Sequence, residues 1–590
     1  MRYAAAIALL AASSAMAQKA PVNDVLLRAM QDELERSRKL SLTDLDKPYF
    51  IEYTLDDVSI VSASASLGAV LGKGESRFRV PRVRLRVGDY AFDNSNYLLS
   101  DFIGGSRFDS DTMPLDDNYG LLRRGWWLST DRAFKGAVEA IGRKRAALKN
   151  MTQPEALADF WKSPPSQKIE ARAERVTGAA EVWATRVRNW SAIFTKYPEV
   201  VQSGVSYNGS QGTFYMTNSE GSVLRRPEPL ANLQVQAFAF APDGTIVRDA
   251  LSLPRNEETH LPAAPEIDKL VEAVAVNVKA LAAAPAADNY AGPVLFEGIA
   301  GPQVMAELLA PNVVLGRRPI GEPGRAVPFL PSEFEGRLES RILPEFLDVI
   351  DDPVRSEWNG QQLLGHYEVD EEGVTPKPVV LIEKGRLKSF LLTRQPVPGF
   401  QGSNGRARLP GAFGSKAAAI TNLFIQSSES VPAAELKARF LKLVATRNKP
   451  WGIIIRKMDY PSSASSEEVR RLAIAANQSG SPRIISAPLL AYKVTPDGKE
   501  QLIRGLRFRG LSVRALRDIV AVSQEQQALH YLYSLAPMAL MGSGGYVAPV
   551  SVIGPSVLFD ELELERPRDD VPNLPLVPAP ALTTQTASAR

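Results

Sequence analysis

The chain has no cysteine, and only three histidines, His260, His366 and His530, occur in its 590 residues. The missing cysteines exclude disulfides, thiol nucleophiles and thiolate-bound metals. The scarcity of histidine means that any histidine-built metal or acid–base site must gather residues far apart in sequence. Read one by one, the three are surface or satisfied core residues. Long apolar runs are also missing. Nothing approaches the roughly 18 apolar residues of a membrane-crossing helix, so no integral membrane segment is expected. Charge of one sign is lacking too. The 69 Lys and Arg against 66 Asp and Glu leave a formal net charge of +3. Over this length that charge does not imply a polyanionic partner, and no nucleic-acid contact is expected.

Common catalytic signatures are absent as well. No serine sits in the Gly-x-Ser-x-Gly frame that a nucleophile elbow needs. Gly72-Lys73-Gly74-Glu75-Ser76 lacks the spacing with which a phosphate loop wraps its ligand, and Gly542-Ser543-Gly544-Gly545 reads as a flexible loop. A zincin His-Glu-x-x-His does not occur. The acidic run Glu368, Asp370, Glu371 and Glu372 could offer oxygen ligands to a hard cation. Its irregular spacing and the following Gly373 favour a solvated turn.

What is present is enough for large buried cores, with 45% hydrophobic residues and 23% charged ones. The length suits about three or four domains, or fewer large ones. Met1-Arg2, the apolar stretch from Ala4 to Ala12 and Ala15-Met16-Ala17 form the three regions of a secretory signal peptide. Residues 1–17 are therefore expected to be removed after Ala17, leaving a secreted or periplasmic protein.

Periodicity outlines the rest. Residues 23–45 have the spacing of an amphipathic helix, with Val25, Leu26, Met30, Leu34 and Leu40 on one face. Tyr49 to Tyr53 and Arg82 to Val87 read as strands, the second with Arg82, Arg84 and Arg86 on a single face. That face is expected to be solvated, or to serve as a patch for substrate carboxylates. Residues 117–149 predict a helix burying Trp126, Trp127, Ala133, Phe134 and Val138, with Arg143, Lys144 and Arg145 towards water. A helix over 176–195 is followed by strands punctuated at Asn208-Gly209, Ser219-Glu220-Gly221 and Pro242-Asp243-Gly244. Residues 264–282 predict another helix, and Ala283 to Ala287 a hinge that divides the chain. Beyond it, Pro378 to Ile382 and Leu387 to Leu392 flank a hairpin turn. Residues 432–446 predict a helix, Ile453 to Ile455 a buried strand, and residues 567–590 a disordered tail.

Several segments in order resemble the TldD/PmbA family of metallopeptidase-related proteins, also called modulators of DNA gyrase. They are Gly292-Pro293-Val294-Leu295-Phe296-Glu297-Gly298, Leu347 to Pro353, Tyr367 to Val374, Leu381 to Lys388, Ser403 to Arg408 and Thr421-Asn422-Leu423. Upstream, Asp116 to Tyr119, Trp127 to Ala133 and Asn218 to Gly221 are similar to a longer, secreted branch, and Phe559 to Leu562 fits near the end. The resemblance implies an α+β fold in two domains. An N-terminal α/β domain (18–287) would carry helices on a mixed sheet, and a β-rich C-terminal domain would cover 288–566.

The resemblance also implies a chemistry that this chain has lost. Active members hold one metal with two histidines of a His-Glu-x-x-x-His helix and a cysteine, and the glutamate activates water. Here Phe296 and Gly301 stand at the histidine positions, and no cysteine exists. Glu297 alone matches, as a vestigial catalytic residue or a carboxylate at a helix start. Pro302 is expected to restart the helix, with Met305, Leu308 and Leu309 packed inward and Phe296 filling the metal space. No metal or cofactor is expected in this chain, and zinc only in an active partner.

The reading that follows is a metal-free subunit pairing with a metal-bearing TldD-like subunit around extended or unfolded peptides. The alternatives are a peptidase with an unrecognised site, or a stand-alone periplasmic peptide-binding or assembly module. The module would make contact through the Arg84 face and through Ser403, Asn404 and Arg406.

Overall fold

A computed structural model describes residues 24–41, 45–97, 113–149, 157–174, 178–321, 329, 331–410, 415–459, 485–533 and 547–566. The expected signal peptide (1–17), the Gly542–Gly545 loop and the expected tail (567–590) lie outside the described residues. Among the described residues no helix is long and apolar enough to cross a membrane.

After α1 (Val25–Ser37), capped by the Asp24 carboxylate on the Leu26 and Leu27 amides, the chain enters a long hairpin. Its strands β1 (Pro48–Ser66) and β2 (Ala69–Val87) meet at Leu67-Gly68. Both turn residues have positive φ, 46° and 82°, the backbone that matches a tight turn to strand twist. Helix α2 (Tyr119–Leu148), strand β3 (Gln167–Ile169) and helix α3 (Ala179–Ala192) precede β4 (Val200–Asn218), β5 (Val223–Phe240) and β6 (Ile246–Arg255). The six strands form one sheet of order β2-β1-β4-β5-β3, with β6 beside β5.

Alternation on β1 decides which face is which. Ile51, Tyr53 and Leu55 pack on α1 and α2 with Leu26, Met30, Trp126 and Ile141. Val61, Ala63 and Ala65 pack on α3 and on α4 (Ala264–Ala283) with Trp183, Val187, Val271 and Val278. One face of the sheet thus carries all four helices. The intervening Glu52 and Asp56 point the other way, towards the second half of the chain.

Details on this sheet differ from the sequence reading. Asn208-Gly209 is no turn but lies inside β4, opposite Ser62 and Val61 of β1. Partners on both sides, β1 and β5, complete its ladder, so the glycine is carried by its neighbours. On α2, Trp127 is 44% exposed, whereas Lys144 is buried. The Lys144 ammonium binds the Asp159 carboxylate at 2.5 Å and the carbonyls of Asp93 and Ser95. A buried lysine needs such partners, and helical spacing alone could not reveal them.

The Ala283–Ala287 segment is stitched down. Arg504 donates to the carbonyls of Ala284 and Pro285, and the Ala287 amide donates to Arg504. Strand β7 (Tyr290–Phe296) and helix α5 (Ala300–Leu309) follow. Next come β8 (Leu347–Asp351), the small pair β9 (Glu357–Trp358) and β10 (Gln361–Gln362), and β11 (Val379–Glu383) with β12 (Arg386–Leu387). The β11–β12 turn uses Lys384 and Gly385, again both at positive φ. The pair β13 (Ala407–Pro410) and β14 (Lys416–Ala418), then β15 (Asn422–Ser427), α6 (Ala433–Thr446) and β16 (Gly452–Met458), lead to β17 (Pro488–Val494) and β18 (Glu500–Ile503). Strands β19 (Arg507–Phe508), β20 (Ile519–Tyr533) and β21 (Ala548–Glu565) close the order.

Eleven of these strands form the second sheet, β12-β11-β8-β15-β21-β7-β16-β17-β18, with β19 and β20 also on β21. β7 is central, parallel to β16 and antiparallel to β21. Its residues Pro293 to Phe296 are therefore buried, as an interior strand requires.

Candidate functional site

β7 delivers Phe296, Glu297 and Gly301 to one junction. Phe296 is its last residue, fully buried and paired across to Val557 of β21 and Ile455 of β16. Its ring lies 5.9 Å from that of Phe508 and 5.4 Å from that of Phe559, the second edge-on. The chain then turns through Gly298, at φ 63°, whose amide donates to Ser556 Oγ.

Helix α5 begins at Ala300, two residues before Pro302. The expected restart at Pro302 is thus corrected. First-turn amides have no intrahelical acceptor, so a proline there removes no hydrogen bond. Met305, Leu308 and Leu309 are buried as expected, and so is nearly every other residue of α5.

Gly301 lies against β21. A β-carbon at that position would overlap the Pro555 carbonyl oxygen and come within 2.9 Å of Ser556 Cα. No side chain, imidazole or other, fits there without moving a backbone strand.

Glu297 faces outward from the same turn. Its amide donates to the Ile455 carbonyl, and its carboxylate accepts from Arg456 Nε at 2.5 Å. Arg456 also donates to Glu500 at 2.9 and 3.0 Å, and Lys437 to Glu500 at 2.6 Å. Glu297 ends this chain of alternating charges. The helix-start reading is incomplete, because the partner of the carboxylate is an arginine on the neighbouring strand.

The histidines do not come together at this junction. His530 Nδ1 contacts Ser551 Oγ at 2.8 Å, His366 Nδ1 contacts the Pro353 carbonyl, and His260 is exposed. Among the described residues no three His, Asp or Glu side chains are grouped to hold a metal ion. A buried phenyl ring, a slot closed to any β-carbon and a glutamate held by arginine do not fit a resident metal.

Ser403, Asn404 and Arg406 are committed elsewhere. Ser403 Oγ donates to the Leu392 carbonyl, and Asn404 accepts from the Leu392 amide and donates to the Phe390 carbonyl. Arg406 is fully buried, and every guanidinium nitrogen is bonded within the protein. Nε donates to Asp351 at 2.7 Å, Nη1 to the Asn404 and Gly405 carbonyls, and Nη2 to those of Asp351 and Lys377. Asp351 in turn accepts from the Thr421 amide and hydroxyl. The expectation of a binding loop is corrected for Arg406, which is an internal brace with no donor for a ligand.

The acidic run is another correction, since Asp370 and Glu372 are only 1% and 2% exposed. Gly373, at φ 78°, closes a turn in which Asp370 Oδ1 accepts the Glu372 and Val374 amides. Burial, reinforced by the Glu372 charge, pushes the Asp370 carboxyl up to about 7. Burial acts on Glu372 too, but Arg84 and Arg394 outweigh it and hold that carboxyl below its usual range.

The arginine face of β2 meets this turn. Arg84 bridges Glu52 of β1 at 2.7 Å and Glu372 at 2.8 Å. Arg82 pairs with Asp56 and Arg86 with Asp93. The face is neither solvated nor free for substrate carboxylates. It is a seam of ion pairs, three of them within the first half of the chain and the fourth reaching the Asp370–Val374 turn of the second. Sequence reading missed this seam, and its one usable sign was a run of acids ending at a glycine.

Comparison with known proteins extends this description. Residues 320–448 match the model of the PmbA/TldA metallopeptidase C-terminal domain. A stretch of 77 residues is 36% identical to a metalloprotease of Archaeoglobus fulgidus, covering 13% of this chain and 17% of that protein. The chain thus spans under a fifth of the curated relative it matches. Two solved structures share the fold. One is described as a modulator of DNA gyrase from Thermotoga maritima, with TM-score 0.55 and 14% identity. The other is TldE from Thermococcus kodakarensis, with TM-score 0.54 and 13% identity. Each match covers 91% of this chain and 99% of the other. With the ordered motifs and the matched domain in agreement, residues 320–448 carry a C-terminal domain of the PmbA/TldA metallopeptidase type, and the chain as a whole shares the α+β fold of the two solved structures.

Proposed function

We propose that this chain is an exported, metal-free family member that serves as the non-catalytic subunit beside a metal-bearing homologue in peptide proteolysis. The observation that carries the reading is the closed slot at Gly301, where the Pro555 carbonyl occupies the space a ligand side chain would need. Phe296, packed between Phe508 and Phe559, supports it from the other ligand position. A carboxylate without a metal cannot bring water near neutral pKa, so Glu297 retains no partner for general-base work. What such a subunit keeps is a frame, which can complete a shared cavity and hold extended peptide.

The test is co-expression with an exported homologue that carries an intact His-Glu-x-x-x-His. The expected result is a stable complex that cleaves a casein-type substrate and is stopped by chelation, while this chain alone is inactive. One zinc per chain together with chelator-sensitive cleavage by the isolated protein would overturn the reading. Failure of the two chains to co-purify would remove the pairing.

A further inference from the structure

Away from the β7–α5 junction, four arginines converge on a single recess. Arg337, Ser340, Arg341, Ile342, Arg514 and Arg517 line a space of about 400 Å³. Arg514 and Arg517 lie on the 3₁₀ helix Val513–Asp518. With three residues per turn, such a helix sets positions three apart on one side. Val513 and Leu516 are buried and anchor it beside α5, leaving the arginines outward.

The opposite wall is a loop pinned to β12. The Glu339 amide donates to the Leu387 carbonyl, and the Leu387 amide donates to Ser340. Gly336 and Glu339 both hold left-handed backbone, at φ 73° and 61°. For Glu339 that conformation carries strain, sustained by these bonds.

Elsewhere among the described residues most arginines are paired with acids, as Arg84, Arg86, Arg394 and Arg406 are. Among the described residues no acid pairs with Arg337, Arg341, Arg514 or Arg517. Glu339, the acid closest to hand on the loop, is engaged by Lys388. Four unneutralised guanidinium groups around one recess repel one another unless an anion joins them. Their planar forks suit the paired oxygens of phosphate, and Ser340 adds a hydroxyl donor. The recess has the size of a small-molecule site and room for more than one tetrahedral oxyanion.

We propose that this recess binds a ligand carrying consecutive phosphate groups, either free polyphosphate or the tail of a nucleoside triphosphate. The inference does not depend on the subunit reading above. The test is calorimetric titration of the full chain with tripolyphosphate, and separately with a nucleoside triphosphate, at low and raised salt. Saturable binding of tripolyphosphate, weakened by salt, is expected. Matching affinity for the nucleotide would also support the site, with the phosphates as the recognised part. Arg514→Ala/Arg517→Ala is expected to weaken binding roughly tenfold per guanidinium, about a hundredfold for the pair. Both residues are exposed, so folding should survive, and thermal denaturation checks it. Arg186→Ala/Arg188→Ala on α3 makes the same change in net charge and is expected to leave affinity intact. Absence of tripolyphosphate binding would overturn the proposal. So would equal losses in the two double variants, or tighter binding of a hexaglutamate peptide than of tripolyphosphate.

Discussion

Gly301 and the Pro555 carbonyl share one space, so that a β-carbon on the first would overlap the second. The relationship links the start of α5 to the middle of β21, and a histidine cannot be restored there by substitution alone. Phe296→His/Gly301→His is therefore expected to bind no stoichiometric zinc, and to unfold at lower denaturant than the parent. Gly301→Ala alone is expected to cost about 1–3 kcal/mol, the usual range for overpacking. Elemental analysis and urea denaturation check the two statements. One zinc per chain in the double variant would show that β21 can move aside.

The Arg406–Asp351 pair is fully buried and supplied with further hydrogen bonds on both sides. Removing one member of such a pair leaves a charge stranded, at about 3–5 kcal/mol. Arg406→Ala should lose stability of that order in urea denaturation. Arg406→Lys should recover little, because an ammonium cannot reproduce the fork that reaches Asn404, Lys377 and Asp351 together. If Arg406→Ala were as stable as the parent, the brace would be dispensable.

His530 predicts an acid sensitivity. Burial, with the Arg255 charge adding to it, pulls the imidazole from 6.5 down to about 4. A histidine with a depressed folded pKa binds fewer protons folded than unfolded between those values. Its contribution to stability is present above about pH 6.5 and is lost as pH falls towards 4. His530→Asn should flatten this part of the stability profile, measured by denaturation at intervals from pH 7 to 4. An unchanged slope would place the titrating group elsewhere.

Much of the fold was legible because it rests on periodicity. The alternation in Arg82 to Val87 placed Arg84 on one face and Leu85 on the other, and the structure agrees. What periodicity cannot state is what lies against a polar face. The same pattern serves a solvated sheet and a seam of buried ion pairs, since the partners Glu52 and Glu372 are far away in sequence. Lys144 and Arg406 escaped for the same reason, because their burial depends on acceptors supplied by distant loops. Asn208-Gly209 misled because turn chemistry is a local signal, and two flanking strands can override it. The junction was legible in identity, with Phe296, Glu297 and Gly301 named in advance. Its closure by Pro555 was not, because a backbone contact between distant segments leaves no trace in spacing.

Arg84 joins the first sheet to the Asp370–Val374 turn of the second half of the chain, through Glu52 on one side and Glu372 on the other, both only 2% exposed. Arg84→Ala would strand the buried Glu52 carboxylate and leave Glu372 held by Arg394 alone, so a loss of about 3–5 kcal/mol is expected. The loss should also be local. The turn from Asp370 to Val374 is held by its own hydrogen bonds, but its hold on β2 depends on this guanidinium. Hydrogen exchange should accelerate in residues 367–374 and along β2, while β7 and β16, deep in the second sheet, keep their protection. Arg84→Ala/Glu372→Gln removes one of the two carboxylate charges and should recover part of the loss, which denaturation of the single and double variants would measure. Uniform acceleration across both sheets would instead mean that the two unfold as one unit, with Arg84 no more important to the seam than to the rest.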